Sequence, residues 1–171
     1  MRKYLTIVLL LLCIKLCYAQ EAPKLAYFCE LNTKIDPALL MGDTPDGVRR
    51  IIPIVGGTVT GPAIKGEILS GGADWQIIRK DGVAEIDARY QLKTDDGTII
   101  CISNKGLRVA SAEIAAKLAK GEKVPAGDYY FRTTARFVAP FGKYEWLNNA
   151  VFICTGEKIP GAVLIKVWKV L

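Results

Sequence analysis

Two runs of alternating apolar and polar residues, joined at Asp81-Gly82, fill the middle of the chain from Gly71 to Gly97. An Asp-Gly pair between such runs predicts a two-residue type I′ hairpin turn, because both central positions need positive φ. Counting back from that turn pairs Lys80 with Val83, Ile78 with Glu85, Gln76 with Asp87 and Asp74 with Arg89. Side chains alternate along a strand, so Asp74, Gln76, Asp87 and Arg89 are expected on one face of the ribbon. Trp75, Ile77, Ala84, Ile86, Ala88 and Tyr90 are expected on the other.

The N-terminus reads as an export signal. Arg2 and Lys3 precede an apolar run from Leu5 to Ile14, and Ala19 offers a small residue before a cut near residue 20. Lys15 interrupts the run well short of the ~20 apolar residues that a spanning helix needs, so no stable membrane insertion is expected. Cys13 and Cys17 lack the small preceding residues of a lipid-attachment site. A periplasmic or secreted protein follows, with residues 21–171 forming one domain.

Loss of residues 1–20 removes three of the 23 basic residues and none of the 17 acidic ones, leaving 20 against 17, a balance of +3. That excess is mild and dispersed, so nucleic acid is not an expected partner. The chain has no histidine, and Cys29, Cys101 and Cys154 are widely spaced, so no metal site is expected. In an oxidising compartment Cys101 and Cys154 could bridge. The alternative is three small buried hydrophobes.

Leu25 to Ile35 alternates as a first strand, closed by Asp36-Pro37. Met41 to Pro62 is dense in Gly and Pro and predicts turns and short irregular strands. It is no phosphate loop, since no Gly-Lys-Ser/Thr follows. Of Arg49 and Arg50, neighbours on a strand, only one can face a given pocket. Ala63 to Ser70 is another strand. Asp95-Asp96-Gly97 makes a second turn, setting Leu92 opposite Cys101 and Gln91 opposite Ile102 if Asp96-Gly97 are the central pair. Ser111 can cap one short helix, with Glu113 at its positive end, Lys117 and Lys120 at its negative end, and Gly121 as its stop. Strands at about Asp128 to Val138, Tyr144 to Cys154 and Ala162 to Val170 complete the chain. Tyr130, Arg132, Thr134 and Arg136 share one face, and Trp146, Asn148 and Phe152 another. About nine strands, one helix and no βαβ rhythm predict an all-β fold, a single antiparallel barrel.

The ordered motifs resemble the DUF3237 family, also called UPF0311. They run G-x-R-R-x-x-P-I-x-G-G-T at Gly47 to Thr58, G-P-x-I-K-G at Gly61 to Gly66, G-G-A-D-W-Q at Gly71 to Gln76, and D-G…D-A-R-Y at Asp81 to Tyr90. T-D-D-G at Thr94 to Gly97, Y-F-R-T at Tyr130 to Thr133 and W-L-N at Trp146 to Asn148 follow. The resemblance spans nearly all of the chain after the signal and implies a compact β-barrel with no settled general activity. The signal peptide departs from the many similar proteins that look cytoplasmic. Val138 departs too, standing where an acid is expected.

Two readings of the polar face stay open. In one, Asp74, Gln76, Asp87 and Arg89 are the wet side of the sheet, and Trp75, Ile77, Ile86 and Tyr90 fill the barrel. In the other, the polar face lines an interior cavity, and the apolar side is covered by the helix or by a second subunit in a homodimer. The second reading makes the protein an exported small-molecule pocket protein, a lyase, isomerase or hydrolase that needs no cofactor. Asp74 or Asp87 would be the base and Arg89 the anion partner, completing a catalytic set. Gln76, Trp75, Tyr90, Arg49, Arg132, Trp146 and Asn148 are the ligand-binding candidates. The alternatives are a lipocalin-like barrel that binds without turnover and a structural or interaction module.

Overall fold

The computed structural model describes residues 21–171, so the signal segment lies outside the described residues. Both Asp-Gly turns close as three-residue loops. Arg79 N donates to Val83 O and Gly82 N to Arg79 O, each at 2.9 Å, leaving Lys80, Asp81 and Gly82 in the loop. Thr94 and Thr98 flank Asp95-Asp96-Gly97 in the same way. Gly82 (φ +83°) and Gly97 (φ +87°) take the left-handed position that such loops require.

Ten strands form: β1 (Leu25–Ile35), β2 (Leu39–Thr44), β3 (Gly47–Thr60), β4 (Lys65–Ile68), β5 (Gly72–Ile78), β6 (Ala84–Thr94), β7 (Ile99–Val109), β8 (Tyr130–Val138), β9 (Phe152–Ile159) and β10 (Ala162–Val170). β1 and β2 both pair with one side of β3, β4 and β5 with the other, so each pair acts as one broken stave. The staves run in chain order and β1 meets β10, which closes an eight-stave antiparallel barrel. This bears out the barrel expectation. β2 pairs with β3 alone and leaves one short edge beyond the ring.

The extra loop residue corrects the expected register. Ile78 pairs with Ala84, Ile77 with Glu85, Asp74 with Ala88 and Ala73 with Arg89. One residue of slip turns a whole strand over. Asp74 and Gln76 therefore point inward with Ala84, Ile86, Ala88 and Tyr90, while Asp87 and Arg89 point outward with Trp75 and Ile77. The second turn shifts likewise, with Leu92 opposite Ile100 and Gln91 opposite Cys101.

Three further expectations change. Met41 to Pro62 is not a run of turns, because β3 passes through it for 14 residues. Its Gly57 serves close strand approach, since a Cβ there would stand 2.0 Å from Asn32 O. Residues 144–151 are no strand. Glu145–Asn149 is a 3₁₀ turn, fixed where Asn148 both accepts from Ala139 N and donates to Ala139 O at 2.9 Å. Trp146, Asn148 and Phe152 therefore do not share a strand face. Cys101 and Cys154 do not bridge, because Cys101 is exposed on the outer face while Cys154 is buried inside.

The two ends of the barrel differ. Phe28, Phe137, Phe152 and Trp146 interlock at one end in edge-to-face and tilted pairs, with ring centroids 4.8 to 6.2 Å apart, and plug it. Helix α1 (Ala112–Ala119) lies across the other. Ser111 Oγ accepts from Ile114 N at 3.2 Å, Gly121 (φ +77°) stops the helix, and fully buried Leu118 docks it on the core. Among the described residues no helix is long and apolar enough to cross a membrane.

Candidate functional site

Alternation carries a charged group inward from several strands at the helix-capped end. β3 contributes Arg50, β5 Asp74 and Gln76, β7 Arg108 and β9 Lys158. Arg50 Nε donates to Gln76 Oε1 at 2.8 Å, with a second, shorter bond from Nη2. Gln76 Nε2 donates to Asp74 Oδ2 at 2.8 Å, and Asp87 N donates to Asp74 Oδ1 at 3.0 Å. The result is a wired chain from a guanidinium to a carboxylate inside the barrel.

Burial raises the Asp74 carboxyl above its ordinary range, opposed by the two hydrogen bonds and by Arg108 and Arg50. The polarity of the chain favours the charged form. An arginine can only donate, so Gln76 must turn its oxygen to Arg50 and its amide nitrogen to Asp74. Both Asp74 oxygens then accept, which works against the rise that burial causes.

Arg108 is the group without a mate. Its guanidinium is largely buried, held down by desolvation and then by repulsion from Arg50, and among the described residues it has no hydrogen bond or ion pair. Lys158 is lowered to about 8 by burial first and then by Arg108 and Arg50. Its Nζ donates to Leu118 O at 2.7 Å, at the carbonyl end of α1, and its backbone N donates to Tyr129 Oη at 2.8 Å. Three cations thus face one carboxylate in a poorly solvated space, an arrangement suited to an incoming anion. Deeper in the lumen, Asn104 (1% exposed) buries an amide oxygen with no partner, and the buried hydroxyls of Tyr90 and Thr33 have only each other. Native structures rarely tolerate such groups without a ligand or water.

The site opens through a cleft of about 350 Å³, lined by Arg50, Lys158, Lys120, Ile35, Ile52 and Ile159 among others. That volume lies at the low end for ligand pockets. Among the described residues no cluster of three metal-ligating side chains occurs.

The expected site residues divide. Asp74, Gln76 and Tyr90 face the lumen. Asp87 and Arg89 lie outside, where Asp87 takes Arg89 at 3.0 Å and Lys105 at 3.2 Å. The Arg89 hydrogen bond, foremost, keeps the Asp87 carboxyl below its ordinary range. Trp75 is 45% exposed beneath the Arg89 guanidinium, 5.8 Å from its centroid, and Arg49 pairs outside with Asp46 at 2.7 Å. Arg132 lies on the outer wall over Tyr130. Trp146 and Asn148 belong to the plugged end. Sequence reasoning missed Arg108 and Lys158. Period-2 counting along Ile100, Ile102, Asn104, Gly106, Arg108 and along Phe152, Cys154, Gly156, Lys158 would have found both.

Comparison with known proteins agrees with the fold. The family model described as "Protein of unknown function (DUF3237)" matches residues 23–170. A UPF0311 protein of Rhodopseudomonas palustris is 39% identical over 145 residues, covering 85% of this chain and 95% of its own. The crystal structure of a conserved protein of unknown function from that organism superposes with TM-score 0.84 at 37% identity, over 89% of this chain and 99% of the other. A structure described as a β-barrel-like protein from Acinetobacter baumannii gives TM-score 0.78 at 40% identity, over 90% and 99%. More distantly, a hydroalkoxylation enzyme of Penicillium herquei is 24% identical over 148 residues, 86% of this chain and 84% of that one. The structure of an enzyme from the same fungus shares the fold at 22% identity and TM-score 0.68, over 91% and 100%.

Proposed function

We infer, because the chain belongs to the DUF3237 family, that its barrel takes a small molecule at the helix-capped end and moves a proton on it. The observation that carries this is the inward cluster of Arg50, Arg108 and Lys158, of which Arg50 and Lys158 line a cleft sized for a ligand and Lys158 titrates at about 8. A lysine near neutrality can take or give a proton, and Arg108 and Arg50 would steady an enolate-like or carboxylate charge as it develops. Asp74 is the positioning carboxylate that holds Gln76 and Arg50 in place. Asp87 and Arg89 have no part in this reading, since they lie on the outer wall. A relative described as a hydroalkoxylation enzyme is consistent with turnover in such a barrel and names no substrate for this chain.

A second reading, binding without turnover, is favoured by one fact: the Lys158 amine is already engaged, donating to Leu118 O at 2.7 Å. The two separate on a single assay. A ligand found by thermal-shift screening, if it carries an acidic C–H, should exchange that proton for deuterium faster with the protein than without. Lys158→Met should abolish the exchange while the ligand still raises the melting temperature. Binding with no exchange in the wild-type protein would leave the binder.

Export belongs to the same proposal. Arg2, Lys3, the Leu5 to Ile14 run and Ala19 support cleavage near residue 20. N-terminal sequencing of the mature protein should begin at about Gln20 or Glu21, and an intact Met1 terminus in the mature protein would refute export by cleavage.

A further inference from the structure

We propose that the ligand is an amphipathic organic monoanion, with an oxyanion head seated at Arg108 and Lys158 and an apolar body lying in the cleft. The proposal rests on the lumen being the ligand site and adds the chemical class that it takes. Two independent features carry it.

The first is charge. Arg50, Arg108 and Lys158 stand against Asp74 alone, and Arg50 is already committed to Gln76. Asp74 is committed to Gln76 and to the Asp87 amide. What stays open is the planar donor fork of Arg108 beside a partly protonated amine, a combination that matches a carboxylate head and repels a cation. A neutral ligand would leave the guanidinium with only Asp74, already hydrogen-bonded elsewhere, as its counter-charge.

The second is the wall above that charge. Ile35, Pro37, Ala38, Ile52 and Ile159 line the cleft between the barrel rim and the end of α1. Leu40, opposite Arg50 on β2 and 74% exposed, continues this apolar lip on the lumen side of the sheet. Lys120 and Asp36 add one charge of each sign to the same lining. A small inorganic anion would leave this surface wet. An anion carrying a ring or short chain covers it, and about 350 Å³ has room for a bicyclic body.

The test uses 2-naphthoate and its uncharged isostere 2-naphthamide, titrated by calorimetry into the wild-type protein, Arg108→Met and Leu40→Asp. Naphthoate should bind wild type at least ~10-fold more tightly than the amide, Arg108→Met should remove that preference, and Leu40→Asp should weaken both probes. Inorganic phosphate at the same concentration should not displace naphthoate. Equal binding of acid and amide, undiminished naphthoate binding in Arg108→Met, displacement by phosphate, or no binding of either probe would each overturn the class proposed here. Far-ultraviolet circular dichroism of each variant guards against unfolding, and Arg108→Lys, which keeps the charge, should restore part of the preference. Failure of the proton-transfer reading shows differently, as tight naphthoate binding with no exchange activity on any ligand.

Discussion

Gln76 donates its amide to Asp74 at 2.8 Å, and because Arg50 claims the Gln76 oxygen that bond has a single workable polarity. The pair joins a cation on β3 to an anion on β5 through a side chain only 2% exposed. Gln76→Leu would keep the volume and delete both links. Each end would then be left buried and short of a partner, so the variant should lose about 1–3 kcal/mol in urea unfolding. A loss below ~0.5 kcal/mol would show that the chain of bonds is not formed in solution.

Asp87 and Arg89 make the opposite case. Their ion pair sits on the outer wall with Arg89 60% exposed, where such pairs contribute under about 1 kcal/mol. Asp87→Asn and Arg89→Ala should change unfolding midpoints little and leave ligand binding unchanged. A large drop in ligand affinity from either would move the site to the outer groove that Trp75, Asp87 and Lys105 share with Arg49.

The three-residue loop sets Arg79 opposite Val83, and that pairing survives the loss of one loop residue. Deleting Lys80 leaves Asp81-Gly82 as a two-residue turn between the same flanking pair, so Ile78 still meets Ala84 while Asp87 and Arg89 stay outside. The deletion should keep a single cooperative thermal transition, and loss of that transition would show that the turn cannot shorten without moving the strands. Gly82→Ala keeps the length and pays only for a positive φ, about 1 kcal/mol.

Lys158 gives the fold a pH signature. Its ammonium titrates at about 8 when folded, against 10.5 for an ordinary lysine, because of burial first and then of Arg108 and Arg50. Between those two values the unfolded chain binds the extra proton, so this group makes stability rise as pH increases from 8 to 10.5. Below 8 the penalty of burying the charge is fully present. Any stability advantage of Lys158→Met over wild type, measured by urea unfolding, should therefore shrink between pH 7.5 and pH 9.5. An unchanged difference would mean that the lysine titrates normally.

Much of the architecture was legible in the residues. β1 runs over the expected Leu25 to Ile35, and the helix begins at its Ser111 cap and stops at Gly121. These signals are local, set by alternation, capping and backbone freedom. The register was not legible, because an Asp-Gly pair serves equally in a two-residue turn and at the end of a three-residue loop. The choice between them decides whether Asp87 faces water or the lumen. Arg108 and Lys158 escaped notice because each stands at the end of a strand, where a charged residue reads as the first solvated one. Alternation sets them on the inner face, and closure of the barrel with the helix laid across its mouth is what buries them there. Trp146 and Asn148, from the W-L-N run, plug and pin the far end.

The most direct test of this account compares the inner and outer carboxylates and cations in one experiment. A small-molecule library is screened by thermal shift against wild type, Arg108→Met, Asp74→Asn and Asp87→Asn. Compounds that stabilise wild type should lose their effect in Arg108→Met and Asp74→Asn and keep it in Asp87→Asn. Compounds that fail with Asp87→Asn yet still stabilise Arg108→Met would contradict it.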